Sequence, residues 1–254
     1  MLQLLLRHCC FLLLTLLVVF SSCSVYAPML PAAPQIRNKG EVEVQGTTFL
    51  NGRWEVGATY SPIKHLLVRA AGGIKTDDRD TTYFRIRQYE VGVGGYYPLG
   101  NHWLISGLGG YGQARSSSGY SDYNDLLNQT RRVDLYACYH RLYGEAAVSY
   151  WTRRATMGFS YRLSRVAFSS LTYNYQPLGL RHMTRIEPMI FFLFGREDGA
   201  VPWLRLQVAW GASGVPRSKY DPNESYERHL IKDGRGFLAV SVVLLPHLFV
   251  QKSQ

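Results

Sequence analysis

The stretch that decides the fold is RWEVGATYSPIKHLLVRAAGGI, residues 53–74. Its first half alternates charged or small side chains with apolar or aromatic ones at Trp54, Val56, Ala58 and Tyr60. After SPIKH the alternation resumes from Val68 to Ile74, with Arg69 on the opposite parity. Because a period of two places successive side chains on opposite faces, the stretch predicts two β-strands, each with an apolar and a polar face.

The composition favours a β-rich globular chain. Of the 254 residues, 46% are hydrophobic and 18% are charged, which argues against disorder. The 18 tyrosines and 24 glycines indicate many short strands and tight turns rather than helices. The formal net charge of +10 fits either an anionic partner, such as a lipid surface or lipopolysaccharide, or ordinary solubilising charge. Basic residues are scattered over predicted loops, so no nucleic-acid partner is expected.

The amino-terminal residues 1–22 are typical of a cleaved export signal. Arg7 precedes an apolar run of about ten residues, which is too short to span a bilayer. Phe20-Ser21-Ser22-Cys23 resembles a bacterial lipobox and predicts lipidation of Cys23, although cleavage after Ala27 is an alternative. Residues 23–39 contain three prolines and few charges, and they predict an extended tether. Residues 40–250 form the predicted folded domain.

Ten strands are predicted in this domain, and no amphipathic helix is evident. They span residues 41–49, 53–60, 66–74, 83–97, 103–113, 135–151, 155–175, 186–195, 203–211 and 236–248. Apart from the first hairpin, short connections alternate with longer ones, including a long loop at 116–134. Outer-membrane barrels sort their connections in this way, with short periplasmic turns and longer external loops. The sequence therefore predicts a closed antiparallel transmembrane barrel of about ten strands in the bacterial outer membrane.

The two faces of the strands carry unlike side chains. The polar face combines small residues with single charges of both signs, as expected where charges pair inside a narrow barrel. The predicted interior polar residues are Glu55, Arg69, Glu90, Glu145, Arg162 and Arg205. The predicted lipid-facing residues are Trp54, Val56, Tyr60, Leu204, Leu206 and Val208. A soluble barrel would place the two faces the other way round.

Several segments also resemble a known family. They are YAPMLP (26–31), KGEVEVQGTTFLNGRWEVGATYSPIKHLLV (39–68), GFSYRLSRVAFSS (158–170) and EPMIFF (187–192). The chain resembles the small outer-membrane β-barrel proteins of Bacteroidota, many of which are predicted lipoproteins. The resemblance implies a fold and a location but no established activity. EPMIFF departs from the family pattern because it alternates poorly.

No constellation of catalytic or metal-binding residues stands out. The histidines lack metal-ligand spacing, and no cofactor or metal is expected. Lipid hydrolases on similar barrels need a serine, a histidine and an acid, and His140 with Glu145 or His182 with Glu187 supplies only part of such a set. Since no serine is singled out by spacing, the sequence predicts a protein that is not an enzyme.

Three functional hypotheses follow. The first is a barrel with a structural or surface-interaction role, its lumen filled by polar side chains. The second is a narrow channel for ions or small solutes. The third is a soluble periplasmic barrel that binds an apolar ligand. The expected partners of the membrane forms are outer-membrane lipid and, through basic loops, the phosphates of lipopolysaccharide.

Overall fold

The structure is a computed structural model. It describes residues 25–79, 81–124, 129–152, 154–195, 201–216, 221 and 223–250. The strands are β1 (Val42–Phe49), β2 (Trp54–Tyr60), β3 (Leu66–Asp78), β4 (Tyr83–Leu99), β5 (Trp103–Asn124), β6 (Gln129–Trp151), β7 (Ala155–Tyr173), β8 (Gln176–Pro177), β9 (His182–Phe194), β10 (Leu204–Ser213) and β11 (Arg235–Leu244). Within these described residues the helices are α1 (Tyr226–Lys232) and α2 (His247–Val250). Neither of these helices is long and apolar enough to cross a membrane.

Ten of the strands close into an antiparallel barrel. Each pairs with its neighbours along the chain, β7 pairs directly with β9, and β1 pairs with both β2 and β11. The two-residue β8 pairs only with the end of β7 and is not one of the ten barrel strands. Closure leaves no exposed sheet edge where every strand is paired on both sides, whereas residues 120–124 and 129–133 beyond this part pair only with each other. The predicted all-β, closed barrel of about ten strands is therefore confirmed.

The two ends of the barrel differ. One end, here called the short-turn end, carries the connections 61–65, 100–102 and 152–154 and the outer ends of β1 and β11. The opposite end, here called the long-loop end, carries the connection 214–234 with α1 and the projecting tips of β5 and β6. The β1–β2 turn also lies there, with Gly52 at φ +79°, a backbone conformation that suits glycine.

The predicted loop at 116–134 is wrong. Strand β5 continues to Asn124 and β6 starts at Gln129, and their register runs unbroken from Asn124–Gln129 to Trp103–Tyr150. This extension is rich in serine and glycine and lacks a continuous apolar face, so its sequence reads as a loop. Only the membrane-level part of a barrel strand needs outward apolar side chains, which explains the error. The last long connection also contains the short helix α1, although the sequence shows no evident amphipathic helix.

Alternating side chains point outward and inward along the strands. In β10, Leu206 is 48% exposed on the outer face, whereas Arg205 is 5% exposed and points inward. The strand containing EPMIFF alternates in the same way, with Phe191 buried and Phe192 exposed. An apolar outer face and a charged interior are the reverse of a soluble barrel. The architecture is that of an outer-membrane protein, and the predicted location in the bacterial outer membrane is confirmed.

Candidate functional site in the barrel lumen

The lumen contains the amino-terminal segment of the described chain, residues 25–37, here called the luminal segment. Most of its side chains are buried, including Tyr26, Met29, Leu30 and Ile36. The segment has no helix or strand. The sequence indicates an extended tether at these residues, and the structure instead places them inside the barrel. The apolar character of the segment explains this location, because burial removes that surface from water.

The luminal segment runs from one end of the barrel to the other. Val25 and Tyr26 pack in an apolar cluster with Val133 and Leu135, near the long-loop end. In the opposite direction, Ile36 packs with Leu67, Leu104 and other residues of a second cluster. Arg37 then donates a hydrogen bond to the carbonyl of Asn101 in a connection at the short-turn end. The segment thus occupies the lumen over most of its height.

Four glutamates accept hydrogen bonds from backbone amides of the luminal segment; three belong to barrel strands, and Glu41 directly precedes β1. These bonds are Leu30 N to Glu55 at 3.0 Å, Ala32 N to Glu145 at 3.1 Å, Gln35 N to Glu43 at 2.8 Å and Arg37 N to Glu41 at 2.7 Å. An extended coil has no internal hydrogen bonds, so its buried amides need other acceptors. Carboxylates form the stronger, charge-assisted bonds. The wall therefore holds the segment by its backbone.

A network of buried charges surrounds the middle of the segment. Glu90 lies 3.1 Å from Arg141 and 3.1 Å from Arg162, and a second nitrogen of Arg162 lies 2.6 Å from Glu145. Arg53 forms a further pair with Glu55 at 3.2 Å. All of these side chains are nearly inaccessible to solvent. Buried charges persist when each has a partner of opposite sign, so the network strongly constrains the lumen.

A second polar cluster lies at the long-loop end of the lumen. The Tyr26 hydroxyl donates to Glu187 at 2.5 Å, and the guanidinium of Arg185 lies 5.0 Å from the centroid of the Tyr26 ring. Arg185 also donates to the carbonyls of Lys232 and Asp233 at the end of α1. These bonds connect the luminal segment, through Arg185, to the carboxyl end of α1.

The structure places the predicted site residues on two different faces. The six predicted interior residues are all buried on the inner face: Glu55, Arg69, Glu90, Glu145, Arg162 and Arg205. Five predicted lipid-facing residues are exposed on the outer face: Trp54, Val56, Tyr60, Leu204 and Leu206. Val208 also faces outward but is half-buried. Cys23 lies outside the described residues, and contact of the outer face with lipid stays a prediction.

The structure does not assemble the partial catalytic sets suggested by the sequence. Glu145 faces the lumen and bonds Arg162, whereas His140 lies on the outer face beside Ser169. Glu187 is likewise buried and His182 exposed. Residues that lie on opposite faces of the wall cannot share a proton, so neither pair forms a site. Within the described ranges, no cluster of three metal-ligating residues occurs.

About half of the residues that bond inside the lumen are not evident from the sequence. The luminal segment and the residues Glu41, Glu43, Arg53, Arg141, Arg185 and Glu187 were not predicted to act together. The glutamates Glu43 and Glu187 do stand on the inward parity of their strands, which is the available signal. The apolar character of residues 25–36 is a second signal, since a solvated linker is usually polar. Which glutamate each backbone amide of the luminal segment bonds, however, depends on how the closed barrel brings them together.

Comparison with known proteins finds similar barrels only among solved structures. Neither a protein-family model nor a curated protein matches the chain. The outer membrane protease OmpT from Escherichia coli is 11% identical, with a TM-score of 0.44 over 81% of this chain and 91% of that one. The translocator domain of the autotransporter NalP from Neisseria meningitidis is 10% identical, with a TM-score of 0.41 over 80% and 86%. The porin NanC is 10% identical, with a TM-score of 0.29 over 80% and 98%.

These comparisons correct one prediction. The chain was expected not to be an enzyme, but one of the similar barrels is a protease. This class of barrel therefore does not exclude catalysis, and the prediction does not stand. At such low identity the likeness concerns the fold alone and gives no residue of this chain a catalytic role.

Proposed function

We propose that the protein is an outer-membrane barrel that its own luminal segment holds closed, with a structural or surface-interaction role. The supporting observation is the set of carboxylate bonds to the amides of Leu30, Ala32, Gln35 and Arg37. The luminal segment that these bonds hold and the buried charged side chains around Arg162 together occupy the space through which a solute would pass. In this proposal the lumen is filled by polar side chains together with the segment.

A narrow channel is the second candidate, and one observation favours it. A cavity of about 640 Å³ lies at the long-loop end, lined by Pro28 of the luminal segment and by Arg53, Lys75, Tyr83 and Arg235. The segment forms no strand pairing with the wall, so its displacement would break no β-ladder. Cations around such a vestibule would favour anionic solutes.

Planar-bilayer recordings test the closed form against the channel. We expect the refolded protein to show no steady openings, and a variant lacking residues 28–37 to conduct, because the deletion removes the material between the wall glutamates. Heat-modifiable gel migration must show that both proteins are folded barrels. Steady openings of the intact protein would overturn the closed form and support the channel.

We further propose that the protein is a lipoprotein of the Bacteroidota type that it resembles, lipidated at Cys23. Cys23 precedes Val25 by two residues, and a chain of two residues reaches about 7 Å. Val25, the first described residue, lies near the long-loop end of the barrel. Mass spectrometry of the mature amino terminus tests this: we expect a diacylglycerol-modified Cys23, and a free Pro28 terminus would contradict it.

We also propose that outer-membrane lipid is the partner of the barrel, with basic side chains at the long-loop end near lipopolysaccharide phosphates. Arg79 and Arg132 are well exposed there, although each also lies near an aspartate, Asp77 and Asp134 respectively. Arginine suits phosphate because its guanidinium can donate two parallel hydrogen bonds. The mixed signs of these loops leave net attraction modest and sensitive to salt.

A further inference from the structure

A serine and a histidine meet on the outer wall of the barrel. The Ser169 hydroxyl and His140 Nε2 lie 3.0 Å apart, within hydrogen-bonding distance. His140 is half-buried and Ser169 is exposed. A hydroxyl bonded to an imidazole nitrogen is the arrangement by which a neutral histidine activates a serine nucleophile. No carboxylate of the described residues bonds the other ring nitrogen of His140, so the pair is a dyad without the acid of the usual catalytic set. The pair lies apart from the luminal network, on the opposite face of the sheet.

A β-bulge creates this contact. The register between β6 and β7 pairs Cys138 with Ser170 but Tyr139 with Phe168, so Ser169 has no partner across the ladder. Leu171 has the parity of Ser169, yet Leu171 is buried in the apolar cluster beneath Tyr26, whereas Ser169 faces outward. Bulges commonly re-aim a side chain next to functional sites. Here the extra residue turns its hydroxyl toward His140.

The pair opens into a groove of about 780 Å³ on the outer wall. Trp54, Val56, Ile74 and Tyr89 provide its apolar and aromatic lining. Its polar lining includes Arg87, Gln113 and Arg115 together with His140 and Ser169. The groove thus combines a surface for hydrocarbon, two cations and a nucleophile.

The order of these groups along the strands matches the order of groups in a phosphorylated lipid. Toward the short-turn end the outer face becomes apolar, with Leu142 two residues beyond His140 exposed. Toward the long-loop end lie Arg87 and Arg115, which face each other directly across β4 and β5. Between the apolar face and the cations lies the Ser169–His140 pair. In a phosphorylated lipid the acyl ester likewise lies between the hydrocarbon tail and the phosphate.

The two arginines supply an independent reason for an anionic ligand. Like charges directly opposite each other across a strand pair destabilise the sheet. Neither Arg87 nor Arg115 forms an ion pair within the described part of the chain. A phosphate between them would relieve this repulsion and accept charge-assisted hydrogen bonds from both guanidinium groups.

We propose that Ser169 and His140 form a nucleophile–base pair that cleaves the acyl ester of a phosphorylated membrane lipid whose phosphate lies between Arg87 and Arg115. His140 Nε2 accepts the hydroxyl proton as Ser169 Oγ bonds the ester carbonyl carbon. The ester C–O bond then breaks, the acyl group stays on Ser169, and the departing alkoxide takes the proton from His140. Water, with His140 again as base, cleaves the acyl-serine, releasing the fatty acid and restoring the Ser169 hydroxyl.

Neighbouring side chains hold the histidine in place. The Tyr111 ring stacks on the His140 ring, with centroids 6.2 Å apart and planes 21° apart. Gln113 is the register partner of His140. Its amide accepts a hydrogen bond from Tyr89 and donates one to Tyr111, at 2.7 and 2.8 Å. Tyr111 is therefore a positioning residue, which acts through His140, and Gln113 holds the Tyr111 hydroxyl.

Fatty-acid release by the full refolded protein tests the proposal. The substrates are micelles of dioctanoyl phosphatidylglycerol and, separately, purified lipid A, so that the two arms distinguish a glycerophospholipid from lipopolysaccharide. We expect Ser169→Ala and His140→Gln each to lower release about 100-fold or more, the usual scale for loss of a nucleophile or general base. Ser117→Ala, an outward-facing serine of β5, is the matched control and should leave release unchanged.

Two further measurements separate the roles of the residues. Hexadecylsulfonyl fluoride should modify Ser169, as seen by peptide mass spectrometry, and should leave the corresponding peptide of Ser169→Ala unmodified. Arg87→Gln with Arg115→Gln should raise KM for the phosphorylated lipid with little change in kcat. If folded protein, verified by heat-modifiable migration, releases no fatty acid from either lipid, or if Ser169→Ala releases it at the normal rate, the proposal is overturned. These outcomes do not depend on conductance, so they leave the closed-lumen proposal untouched.

Discussion

Replacing Leu206 with arginine should lower the free energy of unfolding of the barrel by about 2–4 kcal/mol, as for a cation placed at the bilayer midplane. Leu206 faces outward on β10 between Trp203 and Trp210, and aromatic residues of this kind mark the two membrane interfaces. A guanidinium there must leave water for hydrocarbon or distort the bilayer. Urea unfolding in lipid vesicles, followed by tryptophan fluorescence, measures the change.

The matched control is Thr76→Arg, which places the same side chain on the outer face of β3 near the long-loop end. Near the interface an arginine costs only about 0–1 kcal/mol. Equal and small effects of the two substitutions would mean that water, not hydrocarbon, covers the outer face around Leu206. The membrane assignment of that face would then be wrong.

Removing the Glu90 carboxylate should destabilise the barrel by about 3–5 kcal/mol, because Glu90→Ala leaves a buried cation without its counter-charge. Glu90 is 1% exposed and pairs with both Arg141 and Arg162. Arg162 keeps its second partner Glu145, so the loss is greatest at Arg141. The same urea unfolding in vesicles gives the measurement.

Asp78→Ala is the control for this change. Asp78 forms a comparable arginine–carboxylate contact with Arg85 at 2.9 Å, but the two side chains are 47% and 61% exposed. Exposed pairs contribute about 0–1 kcal/mol because water and salt screen them. A loss at Glu90 no larger than the loss at Asp78 would show that water reaches the charge network, and the lumen would then be less closed than proposed.

The membrane-level strands could be predicted from the sequence, whereas their extensions could not. In β10 the side chains from Leu204 to Trp210 alternate between the outer face and the lumen. The sequence pattern shows the two environments directly because all side chains on one face have the same surroundings. In β5, Ser117 and Gly119 continue the strand through backbone pairing with both β4 and β6, and residues 120–124 pair with β6 alone. Backbone hydrogen bonds leave no mark on side-chain pattern, so this part was read as a loop.

The alternation along the strands predicts that these charged side chains face inward, but it does not predict their bonding partners. Glu145 could be placed in the lumen because its strand neighbours alternate around it. That it accepts a bond from Ala32, 113 residues earlier, depends on a segment with no period of its own. The Ser169–His140 contact is invisible for another reason. Ser169 keeps the outward parity of residues 157–163, but its place beside His140 depends on a register shift between β6 and β7 that the side-chain pattern does not show.

The path of residues 25–37 has a consequence for the order of assembly. The seam between β1 and β11 joins groups far apart in the chain, such as the hydroxyls of Thr47 and Ser241, 194 positions apart and 2.9 Å from each other. Contacts of such large separation form late. Until that seam closes, the curved sheet is open along one side, and the luminal segment can enter through this opening. The barrel therefore closes around the luminal segment, and the segment does not thread through a closed barrel. A bulky amino-terminal fusion need never pass through the finished barrel.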